Sequence, residues 1–131
     1  EFLELGNLDI ARDWGYAPEY VYGMWLMLQQ SKPDDFILAT NIKHSVKYFL
    51  EKSLKYVGIE YDTVGNGVNF KVVDKSGKTI VDVDNKYYRP SEVDNLQGDF
   101  SKAKKILNWE PKTNLDQLIK IMIDHDLDYT K

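Results

Sequence analysis

Apolar residues recur at helical spacing in several separate stretches of the sequence, with short strand-like runs between them. The first helix is predicted to begin at Pro18, which suits a first helical position, and to end before Ser31-Lys32-Pro33. Its predicted inward face consists of five residues on one stripe: Tyr20, Val21, Met24, Trp25 and Leu28. Leu26 and Met27 add apolar surface outside that stripe, so this helix is predicted to have neighbours on two sides.

Three regions have strand character. Phe2–Leu5 alternates like a strand, and Asp35–Thr40 is a short apolar run predicted to be a buried strand. Val68–Val73 and Lys78–Val83 are predicted to form a hairpin, because Asp74-Lys75-Ser76-Gly77 between them is a turn signal.

Three more helices follow from capping signals. Ser45 is predicted to cap the second helix, which ends at Gly58. Asp99 or Ser101 is predicted to cap a short helix, and Thr113 to cap the last one. The alternation of strands and helices along the chain predicts one small mixed α/β domain over residues 1–131. This domain is too small to be a complete doubly wound sheet.

Composition excludes several classes of function. The net charge of −4 argues against broad nucleic-acid or anionic-membrane binding, and no apolar run approaches the roughly 18 residues that span a bilayer. Cysteine is absent, which removes disulfide and thiolate chemistry and suits a cytoplasmic protein.

Sites for catalysis, cofactors or metals are not predicted. Gly65-Asn66-Gly67 opens no helix, so it is predicted to be a turn and not a phosphate loop. His125 lies among aspartates at a helix end, where consecutive side chains point apart, and His44 has no partner visible in the sequence.

Arginine is rare in this chain and occurs at two places, Arg12 and Arg89, among 17 Lys and Arg residues. Arginine binds phosphate with a planar fork of donors, whereas lysine offers a point charge. Glu92 follows Arg89 closely, and a carboxylate can accept hydrogen bonds from the two hydroxyls of a ribose. A nucleotide clamp is one interpretation; surface ion pairs with Asp13 and Glu92 are the other.

Three motifs add a resemblance: LGNLDIARDW, YYRPSEV and GDFSKAKKILNWEP. From Leu5 to about Leu127 the chain resembles the C-terminal part of the GDP-mannose 4,6-dehydratase family, within the extended short-chain dehydrogenase/reductases. Residues 61–82 match least. The resemblance implies a longer enzyme whose N-terminal Rossmann domain binds NADP and holds the catalytic residues, and whose smaller C-terminal part binds the substrate GDP-mannose.

Substrate-binding roles follow by position from this resemblance. Arg12 and Arg89 correspond to diphosphate-binding arginines and Glu92 to the ribose carboxylate, with Tyr88 and Asn7 as neighbours. No catalytic, cofactor-binding or metal-binding residue is expected here, since the Tyr48 and Lys52 pair falls inside a core-facing helix.

The resemblance also implies partners. One is the absent Rossmann domain, which is expected to cover Leu26, Met27 and some of Tyr16, Tyr20 and Tyr22. The others are further subunits of a homo-oligomer. The implied role is lyase chemistry in GDP-fucose biosynthesis. Two alternatives stay open: another nucleotide-sugar epimerase, dehydratase or reductase, and a non-catalytic nucleotide-binding module.

Overall fold

The computed structural model describes residues 1–89 and 93–130. Its elements follow one another as β1 (Leu3–Leu5), β2 (Ala11–Asp13), α1 (Ala17–Leu28), β3 (Lys43–Ser45), α2 (Val46–Tyr56), β4 (Tyr61–Val64), β5 (Lys71–Asp74), β6 (Thr79–Val83), α3 (Ser101–Leu107) and α4 (Leu115–Tyr129). The mixed α/β class predicted from the sequence is confirmed. None of these helices is both long and apolar enough to cross a membrane.

The chain divides into two compact units. The first unit comprises Glu1–Ala11 and Ser45–Asp94, and the second comprises Arg12–His44 and Asn95–Lys131.

The first unit is built on a sheet with strand order β1-β6-β5-β4. β1 runs parallel to β6, with Leu3 opposite Val81, and the remaining neighbours are antiparallel. One face of α2 covers the sheet, and together they bury the core residues Leu8, Leu54, Phe70, Val72, Val81 and Val83. The sheet and this helix therefore share one apolar core.

Local signals in the first unit are confirmed. The Ser45 hydroxyl accepts a hydrogen bond from the Tyr48 amide as the cap of α2, and Gly58 after that helix has φ of 74°. In the hairpin turn, the Asp74 carboxylate accepts hydrogen bonds from the Ser76 and Lys78 amides. The first hairpin strand starts later than predicted, at Lys71, because residues 67–69 form a 3-10 turn.

In the second unit, Ala103, Leu107 and Trp109 form a buried cluster against which residues of α1 pack, and Leu115, Leu118 and Ile119 of α4 are also buried. Aromatic rings pack edge to face on Trp109, from Tyr20 at 5.6 Å and from Phe100 at 6.0 Å between ring centres. Its indole N–H donates a 2.8 Å hydrogen bond to the Glu19 carbonyl. Trp109 therefore lies at the centre of this core.

The predicted inward face of α1 is wrong for most of its residues. Val21, Met24, Trp25 and Leu28 are all more than half exposed. Tyr20 packs inward as predicted. Leu26 and Met27, which were predicted to lie outside the stripe, pack against the same cluster. Leu26 and Met27 therefore pack against the core of the second unit and are partly buried there.

Gly23 explains the orientation of α1. A β-carbon at Gly23 would lie 2.6 Å from a Leu38 methyl and 3.0 Å from the Trp109 indole nitrogen. The missing side chain thus lets this side of the helix approach the core closely. Because both sides of α1 are apolar, hydrophobic spacing did not distinguish them.

Capping differs from the prediction at the later helices. Asn114, and not Thr113, caps α4 through a reciprocal capping box with Gln117. The Thr113 hydroxyl instead donates to the Glu19 carboxylate at 2.7 Å. At α3 the N-cap position is occupied by Phe100, which makes no side-chain cap, so neither Asp99 nor Ser101 is the cap as predicted. Asp99 precedes the cap and accepts hydrogen bonds from the Ser101 amide and hydroxyl.

The predicted strand at Asp35–Thr40 is not formed among the described residues. Its side chains nevertheless keep a strand-like alternation, since Phe36 and Leu38 pack in the core while Ile37 is exposed. A strand exists only when a neighbouring strand accepts its hydrogen bonds, and the described part of this unit pairs none with it.

Candidate functional site

A groove of about 350 Å³ lies in the first unit. The residues that line it include Gly6, Asn7, Val46, Lys86, Tyr87 and Arg89. Its volume is in the range of about 300–1,000 Å³ that small-molecule sites occupy.

The groove forms where the parallel strands β1 and β6 end. Ligands in sheets with parallel strands commonly bind outside the carboxyl ends of those strands, where the following loops meet. Here the Asp84 amide donates to the Leu5 carbonyl at 2.9 Å, which joins the two strand ends. The Asp84 carboxylate then accepts the Lys86 amide at 2.8 Å and turns the chain toward Arg89.

Gly6 sets how closely the two loops approach. A β-carbon at this position would collide with the main-chain carbonyl of Tyr87. The contact is backbone to backbone, so a side chain at Gly6 could not be accommodated by a rotamer change.

Two cationic side chains share the groove. The Lys86 ammonium lies 4.4 Å from the centre of the Tyr87 ring and 3.7 Å from a Glu4 carboxylate oxygen. Its hydrogen bond to Tyr87, together with the nearby carboxylates of Glu4 and Asp84, raises the pKa of Lys86. Arg89 is exposed, and no ion pair joins it to a carboxylate in the part of the chain that the structure describes. The groove thus holds two cationic groups, of which Lys86 is paired with a carboxylate.

Asn7 contributes hydrogen-bond donors. Its side-chain oxygen accepts the Asp9 amide at 2.9 Å, which assigns the amide orientation. The remaining NH₂ group can donate to an oxygen of a ligand.

The N-terminus of α2 borders the groove through Val46. Its amides are already satisfied, because Val46 donates to the Ile10 carbonyl at 3.0 Å and Lys47 to the Leu8 carbonyl at 2.9 Å. An anion in the groove would therefore be held by side chains and not by the first turn of this helix.

The remaining predicted site residues are Tyr88, Arg12 and Glu92. Tyr88 is partly buried against the core of the first unit. Arg12 lies in β2 and belongs to the second unit. Glu92 falls outside the described residues.

Asp13 has a structural role. Its carboxylate accepts hydrogen bonds from the Thr40 hydroxyl at 2.7 Å, the Thr40 amide at 2.9 Å and the Gly98 amide at 3.3 Å. These bonds join Asp13 to two other segments of the second unit, at Thr40 and at Gly98.

Sequence reasoning missed Lys86, Tyr87 and Gly6 as parts of the groove. Lys86 stands three residues before Arg89, and that spacing was an available signal. The role of Gly6 depends on its contact with Tyr87, which no local pattern reveals.

The Gly65-Asn66-Gly67 segment is a turn, as predicted. Gly65 and Gly67 have φ of 76° and 53°, and a β-carbon on Gly65 would collide with the Asn69 carbonyl. This loop folds against itself and leads into a 3-10 turn, so it does not fit the pyrophosphate of a dinucleotide.

Comparison with known proteins identifies relatives over nearly the whole chain. A sequence profile described as GDP-mannose 4,6 dehydratase matches residues 1–122. GDP-mannose 4,6 dehydratase of Homo sapiens is 49% identical over 131 residues, which is 98% of this chain and 35% of the relative. GDP-mannose 4,6 dehydratase 1 of Arabidopsis thaliana is 47% identical over 129 residues, 98% of this chain and 31% of the relative. The chain thus spans about a third of the length of these relatives.

Solved structures show a similar fold. UDP-glucose 4-epimerase of Thermotoga maritima with UDP-glucose matches with a TM-score of 0.72 and 20% identity, over 100% of this chain and 36% of that one. RMD of Pseudomonas aeruginosa with NADPH matches with a TM-score of 0.65 and 13% identity, over 89% of this chain and 33% of that one. At these identities the likeness concerns the fold. The profile match and the identities near 50% show that the chain belongs to the GDP-mannose 4,6-dehydratase family.

Proposed function

We propose that this chain supplies the GDP-binding part of a GDP-mannose 4,6-dehydratase. The complete enzyme converts GDP-mannose to GDP-4-keto-6-deoxymannose. The observation that carries the proposal is that Arg89 and Asn7, both selected from the sequence, line one groove together with Lys86. Charge-assisted and bidentate hydrogen bonds from arginine suit a diphosphate, and an asparagine NH₂ group can donate to a phosphate or ribose oxygen.

From the family resemblance, Arg12 is proposed as a second diphosphate ligand and Glu92 as the ribose-binding carboxylate. Tyr88 supports the segment that leads into Arg89 by packing on the core. NADP would be held by the rest of the enzyme, because the glycine turn at 65–67 does not fit its pyrophosphate. The 131-residue chain is therefore proposed to bind GDP without converting GDP-mannose, and turnover by the purified chain would contradict this division of roles.

Calorimetric titration of GDP into the chain tests the proposal. The double variant Arg12→Ala/Arg89→Ala should weaken binding at least tenfold, since it removes two charge-assisted contacts. Lys120→Ala is the matched control: this lysine pairs with Asp124 at 2.8 Å on the surface of α4, so its loss should leave GDP affinity unchanged. If the double variant bound GDP as tightly as the unsubstituted chain, both arginines would be surface residues without a role in GDP binding. Tighter binding of UDP than of GDP would instead favour another nucleotide-sugar enzyme.

Gly6→Ala should reduce both stability and GDP binding. The new methyl group would push the Tyr87 carbonyl away, at a cost of about 1–3 kcal/mol of unfolding free energy, and would displace the segment that includes Arg89. Gly77→Ala is the control, because Gly77 has φ of 84° in an open turn. It should cost stability while leaving GDP affinity intact. Equal GDP affinity in both variants would contradict the proposed role of the Gly6 contact.

A further inference from the structure

The loop between β4 and β5 holds Asn66 between two glycines, Gly65 and Gly67. Asn66 is the single asparagine of the chain that precedes a glycine. All three residues are exposed, and the segment is a turn that does not fit the pyrophosphate of a dinucleotide. The proposed binding of GDP therefore gives no role to this sequence.

The main-chain nitrogen of Gly67 is accessible. It donates no hydrogen bond within the part of the chain that the structure describes. The neighbouring hydrogen bonds use carbonyl groups instead, because Asn66 accepts the Asn69 amide at 3.0 Å and Gly67 accepts the Phe70 amide at 3.2 Å. A β-carbon at Gly67 would find no atom within 4 Å beyond its chain neighbours. This nitrogen is therefore neither hydrogen-bonded nor shielded by packing.

We propose that Asn66 is a site of spontaneous covalent modification, where its side-chain amide reacts with the Gly67 nitrogen and becomes a mixture of aspartate and isoaspartate. The nitrogen bonds to Cγ of Asn66, the bond from Cγ to the side-chain nitrogen breaks, and ammonia leaves with the proton of the Gly67 amide. Water then opens the resulting five-membered imide. Breaking its bond at Cγ gives aspartate, and breaking its bond at the main-chain carbonyl carbon gives isoaspartate. Water is the single co-reactant, and the reaction is independent of where GDP binds.

The local geometry favours this reaction at Asn66. The reacting groups belong to adjacent residues, so the attack is intramolecular and gains the advantage of proximity. Asn66 is extended, with φ of −146° and ψ of 157°, so its ψ bond must rotate to bring the nitrogen to Cγ. Glycine on each side tolerates that rotation, because it has no β-carbon to clash. An exposed loop also opens locally at a lower free-energy cost than a core strand.

Asn85 provides an internal comparison. It is exposed and begins a 3-10 turn, much as Asn66 directly precedes one. Lys86 follows it, however, and the Lys86 amide already donates to the Asp84 carboxylate at 2.8 Å. The nitrogen after Asn85 is therefore engaged in a hydrogen bond and hindered by a side chain, so Asn85 should react far more slowly.

Isoaspartate at position 66 would disturb the entry into β5. It adds a methylene group to the main chain between Gly65 and Asn69, which are so close that a β-carbon at Gly65 would collide with the Asn69 carbonyl. The hydrogen bond from the Asn69 amide to the Asn66 carbonyl would lose its geometry. The next residue, Phe70, is part of the core and is 5% exposed. The modified chain should therefore unfold at a lower denaturant concentration than the unmodified chain.

Peptide mapping by mass spectrometry, with chromatographic separation of aspartate from isoaspartate, tests the proposal. The 131-residue chain would be incubated at neutral and at mildly alkaline pH. We expect Asn66 to react at least tenfold faster than Asn85, to give both products, and to react faster as pH rises, because the nitrogen attacks in its deprotonated form. Equal rates at the two asparagines would overturn the proposal. So would aspartate without isoaspartate, since direct hydrolysis by water forms no imide.

Two variants test the roles of the reacting residues. Gly67→Ala places a methyl group beside the nitrogen and should slow the reaction at least tenfold. Gly77→Ala is the matched control, because Gly77 also has a positive φ, 84°, with open space around it but lies away from Asn66 in the sequence, so the rate should not change. Asn66→Gln keeps an amide but requires a larger ring, and its side chain should stay intact throughout the incubation. A folded Gly67→Ala chain that reacted as fast as the unsubstituted chain would overturn the proposal.

Discussion

Trp109→Ala should lower the free energy of unfolding of the second unit by about 3–5 kcal/mol, the range for truncation of a large buried aromatic residue. Trp109 is 2% exposed and contacts the rings of Tyr20 and Phe100. The substitution leaves a cavity between these rings and also removes the donor to the Glu19 carbonyl. Chemical denaturation followed by circular dichroism measures the loss.

Two control variants separate the causes. Trp109→Phe keeps an aromatic ring and removes the indole N–H, so it should cost about 0.5–1.5 kcal/mol, the net contribution of one hydrogen bond. Trp25→Ala removes a tryptophan that is 53% exposed, and its cost in the 131-residue chain should be less than about 1 kcal/mol. If Trp25→Ala proved as costly as Trp109→Ala, the assignment of inner and outer faces to α1 would be wrong.

Two local features of the first unit could be predicted from the sequence, the cap of α2 and the hairpin turn. Ser45 caps α2 because its hydroxyl reaches an amide three residues ahead, and Asp74 forms the hairpin turn through amides two and four residues ahead. These interactions connect residues that are close in the chain, so residue type and spacing were sufficient to place them.

The orientation of α1 could not be predicted in the same way. Both sides of the helix are apolar, and the choice between them is made by Gly23 meeting Leu38 and Trp109. These contacts join distant parts of the chain. The strand prediction at 35–40 had a related weakness, because a sequence pattern indicates a strand without showing whether a partner strand is present.

The residues of the candidate site were likewise predictable only in part. Arg89 was selected by its chemistry and Asn7 by the family resemblance, and they line one groove because β1 pairs in parallel with β6. That pairing brings the loop after each strand to the same edge, and Lys86 enters the groove as a consequence. Residue chemistry therefore selected one side chain that lines the groove, whereas only the sheet topology identified its neighbours.

Arg89→Ala should lower kcat/KM for GDP-mannose about ten- to a hundredfold when residues 1–131 form part of a complete enzyme. The proposed contact between Arg89 and the diphosphate is a charge-assisted hydrogen bond, a class of contact worth about 1.5–3 kcal/mol. The diphosphate does not change its charge during the reaction, so the interaction is equal in ground and transition states. Its loss should therefore raise KM more than it lowers kcat. Steady-state kinetics with GDP-mannose, together with GDP affinity, measure both effects.

Arg89→Lys distinguishes the geometry of this contact from its charge. Lysine keeps the positive charge but cannot reproduce the planar fork, so it should recover only part of the lost kcat/KM. Lys86 already supplies a point charge in the same groove, at 3.7 Å from Glu4, and that charge is present in every Arg89 variant. Full recovery in Arg89→Lys would show that the site needs charge alone. A fall in kcat with unchanged KM and GDP affinity would instead contradict the assignment of Arg89 to diphosphate binding, because loss of a diphosphate contact must weaken ground-state binding of the nucleotide.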